Sequence, residues 1–319
     1  MIITEKDSWI RMIFAYHGTT MDRTWPRLAV VVGFSVVITV IAKFFPTQAY
    51  SLTMEPFTVV GLALAIFLGF RNNAAYDRYW EGRKLWGRMV NVCRTFTMQV
   101  NSLIGEENAD SDPDAPREQQ PDQNRITGLI IAYVHAFRHR LRDTDATAEL
   151  RQRLKNDAEA DSYLAQDNVP AAIADRISRC LNHAWRSGRL NVFHLPLLHQ
   201  NLTEMLAIQG GCERIKSTPI PFTYSVLTHR TVVLYCLALP CGLHDRIGWL
   251  TPVVVALVAY AFLGLDAVGD EIEQPFSTDD NDLPLLQLST MIEINIRQLS
   301  EQPPELVPPP VKPVDHFLI

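Results

Sequence analysis

The chain has 319 residues, 47% of them hydrophobic and 20% charged, with a formal net charge of −6. Those averages describe an ordinary soluble protein of one or two domains, and the acidic balance without a recognisable reader motif argues against nucleic acid as a partner. They hide a segregation, however: apolar residues concentrate in 28–45, 56–70, 231–243 and 247–265, while charge fills 71–220.

In chain order, residues 1–27 read as an N-terminal cytoplasmic segment. Met1 to Tyr16 alternates charged and apolar residues, with neither a continuous apolar core nor a small-residue cleavage site, so no secretory leader is expected. Residues 28–70 hold two predicted spans, Leu28 to Phe45 and Pro56 to Phe70. The second is fifteen residues without a charge and runs straight into Arg71, Arg78, Arg83, Lys84 and Arg88, the pattern of a membrane exit on the cytoplasmic side. Tyr76, Tyr79, Trp80 and Trp86 suit interfacial anchors there. Inside the second span, Leu62, Ile66 and Phe70 recur every four residues along one helical face, and Gly61, Ala65 and Gly69 lie on the adjacent one. Small residues at that spacing let membrane helices approach closely. For an isolated helix, both stripes would equally serve as lipid or core contacts.

Residues 71–220 read as a soluble helical domain. Gly105 to Arg125 holds seven acids, two basic residues, three prolines and no aromatic, a composition expected to stay disordered. Ile126 to Arg142 carries Leu129, Ile130, Tyr133, Val134 and Phe137 at helical spacing and should pack on a neighbour. His135 and His139, beside Arg138 and Arg140, look like a solvated basic helix end rather than a metal pair. Further helices are predicted over Ala171 to Trp185, introduced by Pro170, and over Leu197 to Cys212.

Residues 221–268 hold the third and fourth spans, Thr231 to Leu243 and Ile247 to Leu265, joined by a tight turn at His244, Asp245 and Arg246. The fourth is nineteen residues without a charge, about enough to cross a ~30 Å hydrocarbon core as a helix. The distribution of Arg and Lys places both termini and residues 71–220 in the cytoplasm and the link Pro46 to Glu55 outside. Residues 269–319 comprise an acidic loop, a last helix and a tail with six prolines between Pro303 and Pro313, which favours polyproline II. In the loop, Asp279, Asp280 and Asp282 suit a hard cation. With Thr278 they also suit capping of the following helix, which is the expectation preferred here. The five cysteines, odd in number and without C-x-x-C, read as buried reduced thiols. No H-E-x-x-H, G-x-S-x-G, P-loop or G-x-G-x-x-G pattern is present, so no enzymatic activity is expected.

The run GFRNNAAYDRYWEGRKLWG, residues 69 to 87, resembles the signature of the bestrophins, a family of homopentameric ion channels. The resemblance implies an all-α integral membrane protein with four spans and a helical cytoplasmic domain, assembled around one axial pore in the bacterial inner membrane. It assigns Leu62, Ile66 and Phe70 to the pore's hydrophobic neck, leaving Gly61, Ala65 and Gly69 to pack helices around it. The animal channels carry a proline where this chain has Ala63 and a Phe where it has Ile66, which leaves the sign of the permeant ion open. A second constriction falls near His194-Leu195-Pro196-Leu197, with Leu195 the candidate. Asp279, Asp280 and Asp282 occupy acidic positions of the family's calcium clasp, although Ser277, Thr278 and Asn281 depart from it. The expected partners are copies of the chain itself, membrane lipid and small inorganic ions. A rival function is a non-conducting membrane scaffold or sensor acting through the cytoplasmic domain.

Overall fold

The computed structural model describes residues 18–45, 52–105, 121–154 and 156–313. Among the described residues every regular element is helical, apart from one isolated bridge between Ile104 and Leu190. Three helical stretches are long and apolar enough to cross a membrane: Met21–Phe44, Met54–Leu103 and Phe222–Ile272. We label the first two α1 and α2. The third is a hairpin of α8, Phe222–Ile247, and α9, Thr251–Ile272, joined by a short 3-10 turn at Gly248–Leu250. The break falls at Gly248, whose φ of 51° suits a residue without a Cβ. The turn expected at His244 to Arg246 is instead the last turn of α8: His244 is buried and its Nδ1 lies 3.2 Å from the Pro240 carbonyl. Of the link Pro46 to Glu55, residues 46–51 lie outside the described residues.

These four helices share a core built around Val31, Phe57, Leu64, Val232, Val255 and Leu263. Two glycines set how closely they pack. A Cβ at Gly242 would lie 2.7 Å from the Phe57 ring, and one at Gly61 would lie 2.6 Å from the Tyr235 hydroxyl. Around the outside of this layer, Val30, Phe34, Val37, Leu234 and Leu257 are exposed, an apolar surface of the kind a bilayer covers.

The helix α2 does not stop at the expected membrane exit. Its 50 residues extend about 75 Å at 1.5 Å per residue, carrying the chain from the apolar layer into a second, soluble core. There Trp86 is fully buried and stacks on Phe137, with centroids 5.3 Å apart, so it is a core residue rather than an interfacial anchor. Tyr76 and Trp80 are exposed and stack on each other at 6.3 Å. The centre of the soluble core is α3, Pro121–Arg142, in which Ile126, Thr127 and every residue from Leu129 to Arg138 are buried, so the helix is enclosed on all faces rather than along one stripe. Its first turn corrects the expectation of disorder through Arg125: the Gln123 amide reaches back to the carbonyls of Ile104 and Asn101, giving a polar segment a buried anchor. Residues 106–120 lie outside the described residues.

Two short helices, α4 over Thr147–Leu154 and α5 over Asp157–Leu164, went unpredicted because eight residues are too few to show a clear period. Side chains start them, Asp145 accepting from the Thr147 amide at 2.9 Å and Asn156 from the Glu159 amide at 3.2 Å. The expected helices at 171–185 and 197–212 appear as α6, Val169–Arg186, and α7, Leu195–Ser217, and the last as α10, Leu285–Leu299.

The histidine pair also departs from expectation. His135 is fully buried, its Nε2 2.9 Å from Glu293 on α10, with Glu149 of α4 facing its other nitrogen at 3.2 Å. Arg153 and Arg297 close on the same Glu293 at 2.9 and 2.8 Å. Burial alone would raise the Glu293 carboxyl, but the His135 hydrogen bond and the Arg153 charge outweigh it and hold the group at about 2 against an ordinary 4.5. A carboxylate held down in the folded state contributes stability above its unfolded value and loses that contribution as pH falls. Wild-type unfolding temperature should therefore drop as pH falls from 4.5 towards 2, and Glu293→Gln should flatten this limb. An undiminished limb in the Gln variant would assign it to other groups.

Candidate functional site

The face of α2 that packs inside its own subunit runs through Phe57, Gly61, Leu64, Leu68, Arg71 and Ala75. Opposite it, Leu62, Ile66 and Phe70 are 65%, 50% and 63% exposed. The three expected neck residues thus share one uncovered face, together with Val59. The small-residue stripe divides instead. A four-residue step advances about 40° around an α-helix, so Gly61 lies towards the interior, where it seats the subunit's own Tyr235. Ala65 and Gly69 come round to the exposed side, with open space within 4 Å of a Cβ at Gly69. Gly61 therefore packs α2 closely on α8 within the chain.

Immediately after Phe70, Arg71 turns inward and is 1% exposed. Its Nη1 donates to Asp266 at 2.7 Å, its Nη2 to Asp270, and Glu273 lies 3.8 Å away. His229 of α8 bridges the same two aspartates. Asn72 adds a hydrogen bond to the Leu265 carbonyl at 3.0 Å. Two turns on, Arg78 donates to the carbonyls of Glu273 at 3.0 Å, Ile215 at 2.6 Å and Thr218, tying α2 to the end of α9 and to the end of α7. Among the described residues, His229, Asp266 and Asp270 are the one group whose three ligand atoms lie within 4.8 Å of each other. Arg71 stands among them, so the cluster forms a charge-balanced joint between helices. Sequence reasoning missed it. The available signal was Asp266 at the end of an apolar span, where a charge requires a partner.

A family model described as bacterial and fungal bestrophin protein matches residues 1–298. The chain belongs to the bestrophin family. It is 39% identical over 305 residues, 95% of each chain, to a voltage-dependent anion channel-forming protein of Ralstonia nicotianae. It is 38% identical to another protein so named from Mesorhizobium japonicum, over 97% of this chain and 95% of that one. A crystal structure of a bacterial bestrophin homologue from Klebsiella pneumoniae superimposes with a TM-score of 0.80 at 33% identity, covering 87% of this chain and 98% of the other. Together with its apolar helices, these relatives make the chain a membrane protein of an ion-channel family.

In this bestrophin the signature has two faces. Arg71, Asn72, Ala75, Arg78, Gly82 and Trp86 bind the subunit together, while Asn73, Ala74, Tyr76, Asp77, Trp80 and Lys84 are left partly or fully exposed. Gly82 admits the acidic loop against α2, since a Cβ there would lie 3.0 Å from Phe276.

That loop does not cap the bestrophin's last helix. Helix α10 begins at Leu285 after Pro284, without a side-chain cap. The loop folds on itself instead: Asp282 accepts from the Asp279 amide at 2.8 Å, Asn281 donates to Glu271 at 2.9 Å, and Arg23 donates to the Asp279 carboxylate at 2.6 Å. Asp282 is 2% exposed with Oδ1 unpartnered, and burial pushes its carboxyl up to about 7. Asp280 is exposed. Among the described residues the three aspartates do not bring three side-chain oxygens within 4.8 Å of one another, and Asp279 is engaged by Arg23.

Leu195 opens α7, half-buried against the soluble core, and the exposed apolar side chains beside it are Val192, Phe193 and Leu197. Cys93, Cys180, Cys212 and Cys236 are buried and all five cysteines are free. Burial pushes the Cys93 thiol up to about 12.

Removing one partner of a buried ion pair strands the other, at a typical loss of about 3–5 kcal/mol. Arg71→Ala should therefore lower the unfolding temperature of the detergent-solubilised protein sharply, and adding Asp266→Ala should recover part of the loss. An unchanged unfolding temperature in the single variant would remove Arg71 from this structural role.

Proposed function

We propose that the protein is a passive ion channel, a homopentamer in which the uncovered face of α2 lines an axial pore. In this reading α1, the first half of α2, α8 and α9 each span the bacterial inner membrane. Both termini and the soluble helical domain are cytoplasmic. The observation that carries the proposal is the placement of three large apolar side chains, Leu62, Ile66 and Phe70, at the middle of the broad exposed side of α2, opposite its packed face, with Val60 and Phe67 exposed towards its edge. A lipid-facing surface would need no order along that side. Here the same side continues, without a break in the helix, into Asn73, Asp77 and Lys84, as a wall passing from a dry constriction into a wet vestibule would.

Five copies of each apolar residue would form three stacked rings. Such a ring supplies no replacement for an ion's hydration shell, so it opposes conduction by excluding water and acts as a gate. Ala65 and Gly69, flanking this face, would let neighbouring α2 helices approach. Leu195 and the apolar residues around it would form a second narrowing at the cytoplasmic end. The relatives are named anion channel-forming proteins, which supports anions as permeant ions without fixing the sign for this chain. Anion conduction is the first selectivity to test.

Purified protein in liposomes with opposed cation and anion gradients should show passive flux. Ile66→Ser should raise that flux with little change in reversal potential, because the ring contributes a barrier but no charge. Val60→Ser, about 120° round the helix from this face, should do much less. No flux of either sign from intact oligomer would favour a membrane scaffold or sensor, and a larger effect at Val60 would move the pore to another helix.

A further inference from the structure

We propose that Asp77 forms a fixed-charge ring on the pore face just beyond the neck and sets the balance between cations and anions, with Lys84 as a weaker counterpart. This inference rests on the proposed pore.

Helical phase places both residues. At 100° per residue, Asp77 lies about 20° from the azimuth of Ile66, and Lys84, five full turns on, returns to it. The helix is unbroken over this interval, so the line of Leu62, Ile66 and Phe70 leads directly to them. Both are exposed.

Their charges are also free. Four charged neighbours are engaged by the fold: Arg71 with Asp266 and Asp270, Arg78 with three carbonyls, Glu81 with Arg214, and Arg88 with Glu204. Asp77 and Lys84 make no ion pair among the described residues. Arg83 is also exposed, but it stands about 100° round the helix from Ile66, so Asp77 and Lys84 are the unpaired charges that lie on the line itself.

Distance decides which ring dominates. Asp77 stands about 10 Å along the axis from Phe70, and Lys84 about 21 Å. The screening length at physiological ionic strength is about 8 Å. An ion leaving the neck therefore stands little more than one screening length from the Asp77 ring and more than two from that of Lys84, so the Asp77 field is the stronger of the two. Five carboxylates there concentrate cations and deplete anions at the inner mouth.

The test is the reversal potential of the assembled channel in planar bilayers under a salt gradient. Asp77→Asn should lower the cation-to-anion permeability ratio by roughly threefold to tenfold, and Asp77→Lys should lower it further. Lys84→Gln should move the ratio the opposite way and by less. Raising ionic strength should shrink the difference between the wild type and Asp77→Asn, as screening of a fixed charge requires. Current without any shift in the assembled Asp77 variants, or a larger shift at Lys84, overturns this inference and leaves the channel intact. Absence of wild-type current overturns the pore proposal beneath it.

Discussion

A buried arginine fixes this architecture. Placing a guanidinium where almost none of it meets solvent is strongly unfavourable unless acceptors surround it, and the acceptors for Arg71 are Asp266 and Asp270 near the end of α9. That requirement sets the rotation of α2, and with it the exposure of everything on the opposite side. A helix turned by one residue would carry Arg71 out of reach of both aspartates and would bury part of the Leu62, Ile66, Phe70 line. Because Arg71 directly follows Phe70, the clamp acts at the last of the three apolar positions.

Continuity of α2 extends this constraint into the soluble domain. One helix contributes Phe57 and Leu64 to the apolar core and Trp86, Cys93 and Phe96 to the soluble one, so the two cores cannot rotate independently about it. Arg78 and Gly82 hold the chain on either side of the transition, the first through three carbonyls and the second by admitting Phe276. The network centred on Glu293 stabilises the far end of that domain in the same way, by surrounding a buried charge.

Much of this was legible in the residues themselves. The apolar runs located the membrane layer, and the four-residue spacing of Leu62, Ile66 and Phe70 identified the face that proved open. Charge partners separated by nearly two hundred positions were not legible: nothing near Arg71 in the chain announces Asp266, so its run of basic residues looked like a solvated exit. The same limit applies to His135, which meets Glu293 only through the packing of α3 on α10. Gly61 parts from Ala65 and Gly69 because a four-residue stripe winds around a 3.6-residue helix, turning one end of the stripe inward. The helix-cap expectation for Asp279 and Asp280 failed because the loop closes on Asp282 and Arg23 before α10 begins.

The central claim is that the outward side of α2 faces the ion path. Single cysteines placed in turn from position 57 to 77 and exposed to a small charged thiol reagent during current recording test it most directly. The native thiols are mostly buried, which keeps the background low. Inhibition should recur with the helical period, strongest at positions 62, 66, 70, 73 and 77 and weakest at 57, 64, 68 and 75. Inhibition concentrated at the second set, or spread evenly without a period, would contradict the account.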